Sequence, residues 1–113
     1  VKRCFDYRVI KRALGYNPPI TREIIYLEDD GNIWSFECVD KVYRIHASMT
    51  TKKGRLAIES AKSAFKWFFD NTNERRVIAK ILKTNRPACV IARACMRFTH
   101  ADQNHHFYEV ANV

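Results

Sequence analysis

Glycine and proline are scarce, three of each in 113 residues. With no low-complexity tract or internal repeat, the chain has no obvious linker, and its length reads as one domain spanning residues 1–113. No pair of the four cysteines has C-x-x-C spacing, so neither a zinc knuckle nor a dithiol redox motif is written in the sequence. Cys38, Cys89 and Cys95 fall inside apolar runs and read as buried, reduced thiols, as expected of a cytoplasmic protein. No apolar run approaches the roughly 20 residues of a membrane span, so no membrane partner is expected. Acidic residues are also in deficit, 12 against 20 Lys and Arg, for a net charge of +8. Such a surface attracts polyanions and phosphorylated cofactors. What the chain does have is a hydrophobic fraction of 47%, with two Trp, five Tyr and seven Phe, which excludes disorder.

Hydropathy periods alternate along the chain. Residues 5–14 place Val9, Ile10, Ala13 and Leu14 at helical spacing, and Gly15 with Pro18 and Pro19 ends the pattern. Ile24–Leu27, a Glu28-Asp-Asp-Gly31 turn and Ile33–Val39 predict a β-hairpin. Asp40-Lys41 then turns the chain into a third antiparallel strand over 42–49. Ala57, Ala61, Ala64, Phe65 and Phe68 share one face of a helix over 56–69. The apolar run 77–82 predicts a strand buried on both faces, making 42–82 a β-α-β unit with parallel strands. A helix over 87–94 and a hairpin pairing 96–99 with 107–110 complete the expectation. The strand Phe107–Val110 is expected at an exposed edge, where a second copy would pair to give a homodimer.

Two stretches carry chemistry. The turn Thr50-Thr-Lys-Lys-Gly-Arg55 lies between a strand end and a helix start, where free backbone N–H groups and the helix dipole favour a phosphate. Lys52, Lys53 and Arg55 add charge there, and Gly54 permits close backbone approach. The bland alternative is a solvated basic connection. Asn85, after the strand 77–82, is a good helix N-cap, and its amide also suits a ligand lying across the two helix starts.

These pieces in this order resemble the GNAT acetyltransferase superfamily over roughly residues 24–110, and look most like its short members from tailed-phage genomes. The stretches that carry the likeness are Tyr43-Arg-Ile-His46, Lys53-Gly-Arg-Leu-Ala-Ile58, Trp67-Phe-Phe69 and Asn85-Arg-Pro-Ala88. No single motif is specific; their order is. The resemblance implies an α/β fold with a mixed, mostly antiparallel sheet flanked by helices, and acetyl-CoA as cofactor. By position it implies that Ala47, Ser48 and Met49 offer backbone groups to the pantetheine. Lys53, Gly54, Arg55, Leu56 and Ala57 would take the pyrophosphate, and Asn85 with Ala88 the cofactor's far arm. The chain departs from the pattern at three places. Its turn has a single glycine, with bulky Leu56 and Ile58 where small residues are usual, which predicts a crowded helix start. Ala92 stands where the family often has a tyrosine acid, seven residues after the Asn. Cys95-Met-Arg-Phe98 replaces the usual Gly-Phe.

Acetyl transfer to an amine needs a group that removes a proton near neutral pH. His46, of opposite parity to Ile45 and Ala47, and Glu37 on the preceding strand are the candidates, each with a purely structural alternative. His100, His105 and His106, even with Asp102, are too irregularly spaced for a closed metal site. The sequence therefore predicts an acetyl-CoA-dependent N-acetyltransferase acting on a primary amine of a protein or small molecule, in a host cytoplasm or virion. Its rivals are a catalytically degenerate phage structural or assembly protein and a basic nucleic-acid-binding module. Dispersal of the basic residues along the chain argues against nucleic acid.

Overall fold

In the computed structural model, which describes residues 1–48 and 53–112, Ser48 by its backbone alone, the chain runs β1 (Lys2–Arg3), α1 (Tyr7–Leu14), β2 (Ile24–Asp29), β3 (Asn32–Val39) and β4 (Val42–Ser48), then α2 (Arg55–Asn71), β5 (Arg76–Leu82), α3 (Arg86–Cys95), β6 (Arg97–Ala101) and β7 (His105–Ala111). The strands form one mixed sheet in the order β1-β2-β3-β4-β5-β7-β6. Only the β4–β5 neighbours are parallel, the others antiparallel.

Local chemistry accounts for most element ends. Asp6 accepts the N–H groups of Arg8 and Val9 and so starts α1, and Gly15, at φ 79°, stops it. Both hairpin turns place two consecutive residues at positive φ, Asp30-Gly31 and Asp40-Lys41, the primed geometry that follows the twist of the flanking strands. β1 was not expected, since two residues carry no periodicity; it exists because β2 offers it an edge, pairing Lys2 with Glu28 and Arg3 with Leu27.

The core lies on both faces of the N-terminal half of the sheet. On one face α2 lays Ala61, Ala64, Phe65 and Phe68 against Ile25, Leu27, Trp34, Phe36 and Ile45. The alanines let the helix approach closely enough for Phe68 to stack on Phe36 at 4.4 Å and meet Tyr43 edge-on at 5.0 Å. On the other face α1 buries Ile10 with Cys4, Ile24, Tyr26 and Ile33.

Two expectations are corrected in the C-terminal half. β5 is not buried on both faces: Val77 and Ala79 are buried while Lys80 is exposed, because α2 and α3 cover one face and α1 packs elsewhere. The stretch Phe107–Val110 is not an edge either. β7 is inserted between β5 and β6 and pairs with both, and the open edge is β6, whose five residues are all exposed. Among the described residues no helix is long and apolar enough to cross a membrane.

Candidate functional site

β4 and β5 pair only at Tyr43↔Val77 and Arg44↔Ile78. Beyond that point each strand keeps its other neighbour, β4 following β3 to the Ile33↔Ser48 pair and β5 following β7 to Leu82↔His105. The sheet therefore opens as a wedge. Main-chain groups of Ile45–Ala47 and Ala79–Ile81 face one another across it without ladder bonds, an arrangement that favours a ligand able to bond to them.

A groove of about 280 Å3 occupies the wedge. Ile45, His46 and Ala47 form one wall, and Lys80, Ile81 and Leu82 the other. Its end and floor come from Trp34, Ala61 and Phe65 on one side and from the cap Asn85 with Ala88, Ile91 and Ala92 of α3 on the other. Residues of both parities of β4 and β5 border it. His46 and Lys80 belong to the face opposite α2 and α3: His46 sits across from Ser35 in the β3–β4 register, whereas Trp34 and Phe36 point to α2.

Polar groups hold the walls. The buried Trp34 indole donates to Ser60 Oγ at 2.9 Å, and Ser60 donates to Asp29 Oδ2 at 2.6 Å, so α2 is tied to the β2–β3 hairpin behind the groove. Cys95, at the groove's end, directs its thiol toward the Ile58 carbonyl at 3.7 Å. Burial pushes that thiol's pKa up, with nearby Lys62 opposing the shift.

At the start of α2, Gly54 adopts φ 56°, ψ −128°, and among the described residues no side chain caps the helix. A left-handed value of this kind favours glycine. Among the described residues no atom lies within 4 Å of where a Cβ on Gly54 would stand. Leu56 is 59% exposed, with its side chain in solvent. Lys53 and Arg55 flank this open helix start and are exposed. The start of α3 is capped as expected, Asn85 Oδ1 accepting the Ala88 N–H at 3.3 Å.

Of the residues singled out in the sequence, the groove brings together His46, Ala47, Asn85 and Ala88. Ser48 ends β4, and Met49 with Lys52 lies outside the described residues. Lys53–Leu56 gather at the α2 start, whereas the Ala57 side chain is buried. Glu37 does not line the groove; it shares the His46 face, opposite Arg44 in the register. Sequence reasoning missed Lys80, although a lysine in an otherwise apolar strand was a signal. It also missed Trp34, Ile91 and Cys95, which no local pattern marks. Ala92, at the position where the sequence resemblance implies a tyrosine, lies in the groove wall. The histidines separate by strand alternation: His105 pairs with Asp102 at 3.2 Å, while His106 approaches the Tyr108 hydroxyl at 3.4 Å.

A seven-stranded mixed sheet, opened between two parallel central strands and flanked by helices, is the GNAT acyltransferase fold. Among solved structures, the chain is similar to the Campylobacter jejuni N-acetyltransferase PseH in complex with acetyl coenzyme A, with a TM-score of 0.65 at 12% identity over 94% of this chain and 77% of that one. A second PseH structure gives a TM-score of 0.64 at 13% identity over the same shares. At that identity the likeness establishes the fold. No protein-family model matches the sequence, and no curated protein matches it in sequence.

Proposed function

We propose that the protein is an N-acetyltransferase that moves the acetyl group of acetyl-CoA to a primary amine. The observation that carries this reading is the groove at the β4–β5 wedge, bordered by His46 and Ala47. The residues present fit such a cofactor: a slot lined by unladdered backbone and small alanines suits a narrow, amide-bearing chain, and the open Gly54 helix start between Lys53 and Arg55 suits a pyrophosphate. When bound, acetyl-CoA supplies an activated thioester. Backbone groups of Ile45–Ala47 hold and polarise a carbonyl placed in the wedge. His46, on the opposite mouth, takes the proton of an incoming ammonium, and Glu37, farther along the same face, attracts that ammonium to it. PseH, with the same fold, is an N-acetyltransferase that binds acetyl coenzyme A, which supports the assignment.

A second reading has one observation in its favour. Ala92 in the groove wall provides no acid for a departing thiolate, as expected of a fold kept as a structural or assembly protein. Binding without turnover would select it.

Thermal unfolding with acetyl-CoA and with CoA tests the proposal. A ligand at about 100 times its Kd adds about 2.7 kcal/mol, a Tm rise on the order of 10 °C for a chain of this size. Gly54→Asp should abolish the rise, whereas Gly54→Ala, equally strained but uncharged, should keep most of it. No shift at millimolar acetyl-CoA overturns the assignment.

A further inference from the structure

Arg44 stands at the closed end of the wedge, where β4 and β5 last pair, opposite Ile78. Its register places it on the same face as His46 and Lys80, away from α2 and α3. Its Nε is buried and has no hydrogen-bond partner among the described residues. A buried, unpartnered donor on a charged side chain is costly. The two nearest carboxylates in the register do not resolve it. Glu37 lies opposite Arg44 yet forms no ion pair with it among the described residues, and Glu109 is taken by Arg76 at 3.5 Å and Arg97 at 3.7 Å.

Across the wedge, Lys80 carries the second cation of this face without an ion pair among the described residues. Its ammonium lies 5.9 Å from the Phe107 ring centre, and that ring is backed by His100, stacked on it at 4.3 Å. The aromatic support orients Lys80 without neutralising it. On the face away from α2 and α3, Lys80 and His46 border the groove and Arg44 stands at its closed end, with Glu37 opposite Arg44 and Glu109, the other carboxylate of this face, held by Arg76 and Arg97.

We infer that the acceptor amine also carries an anionic group, a phosphate or a carboxylate, which Arg44 and Lys80 bind while its ammonium lies toward Glu37 and His46. This rests on the acetyltransferase reading, because it places the acceptor on the far side of the same wedge. A polycationic acceptor, such as a lysine-rich peptide, would meet two unneutralised cations there, on a chain of net charge +8, and is disfavoured.

The test compares O-phosphoethanolamine and glycine with ethanolamine, three small primary amines of which the first two carry the anion. Rates of CoA release give kcat/KM, and chemical-shift mapping of each amine on isotope-labelled protein reads binding with no acetyl-CoA present. The expected result is a kcat/KM at least about tenfold higher for an anionic amine than for ethanolamine, narrowing as salt is added. Binding shifts should centre on Arg44, His46 and Lys80. Arg44→Gln and Lys80→Gln should each shrink the advantage through KM, and because Lys80 is exposed its variant keeps the test sound if Arg44→Gln fails to fold. Equal or better use of ethanolamine, or binding shifts away from this face, overturns the inference while leaving the acetyltransferase intact. Absence of a thermal shift with acetyl-CoA instead removes the acetyltransferase reading, and the acceptor inference with it.

Discussion

The Trp34 indole N–H meets Ser60 Oγ at 2.9 Å inside the sheet–helix interface. Ser60 passes the bond on to Asp29 at 2.6 Å, so one hydroxyl joins the groove floor, α2 and the β2–β3 hairpin. Ser60→Ala leaves a buried indole donor without its acceptor and should cost about 1–3 kcal/mol. Urea unfolding should show the midpoint falling with an unchanged m-value. A loss within error would mean that the indole finds water.

Phe68 is the centre of the α2 face, in contact with the rings of Phe36, Tyr43 and Phe69. Phe68→Ala should destabilise the fold by about 3–5 kcal/mol, whereas Phe68→Leu should retain a cooperative transition with a smaller loss. Differential scanning calorimetry separates the two.

Asp6 holds the first turn of α1 through the N–H groups of Arg8 and Val9. Asp6→Ala should lower stability by about 1 kcal/mol, and Asp6→Ser should recover most of it. Equal losses in the two variants would show that the cap contributes little.

Cys95 reports on the groove without any catalysis. Burial raises its thiol pKa, so alkylation by N-ethylmaleimide should be slow at neutral pH and accelerate as the pH rises. Saturating CoA should slow it further and leave Cys38, which is outside the groove, unaffected. Peptide mass spectrometry resolves the sites; unchanged labelling of Cys95 would separate it from the cofactor.

The β6–β7 turn has an acid-sensitive tie. Asp102 accepts the backbone N–H groups of Asn104 at 2.9 Å and His105 at 2.6 Å, and these bonds, the first of them foremost, hold its pKa below the ordinary 3.8. A depressed carboxylate stabilises the folded state above its unfolded pKa, and the contribution is lost as the pH falls through the folded value. NMR titration should therefore place the Asp102 midpoint below 3.8, and Asp102→Asn should flatten the acid limb of stability. A midpoint at or above the ordinary value would contradict the geometry.

Much of the architecture was legible in the sequence because the periods were clean. The α2 face from Ala57 to Phe68, the alternation through Trp34 and Phe36, and the two hairpin turns all state their partners locally. The insertion of β7 between β5 and β6 was not legible, since strand order depends on long-range pairing that Phe107–Val110 does not encode. β5 misled for a related reason: Val77–Leu82 is apolar enough for a strand covered twice, yet the helices cover one face. Of the groove's lining, His46, Ala47, Asn85 and Ala88 were singled out because the order of motifs placed them together. Arg44 and Lys80 were not, because their significance lies in a face shared across a gap between strands that chain order separates by a whole helix.

The Asp40-Lys41 turn has no glycine, yet both residues sit at positive φ, at 52° and 68°. A non-glycine pair in that conformation is tolerated only where the surrounding ladder insists on it, and here it closes the Val39↔Val42 pair. That turn works as a phase marker for β4. One residue gained or lost there would reverse the parity of the strand and turn Ile45 or Ala47, instead of His46, to the mouth of the groove. On the proposed function, the group that would meet an incoming amine is thus decided roughly 17 Å away, at about 3.4 Å per residue along the strand.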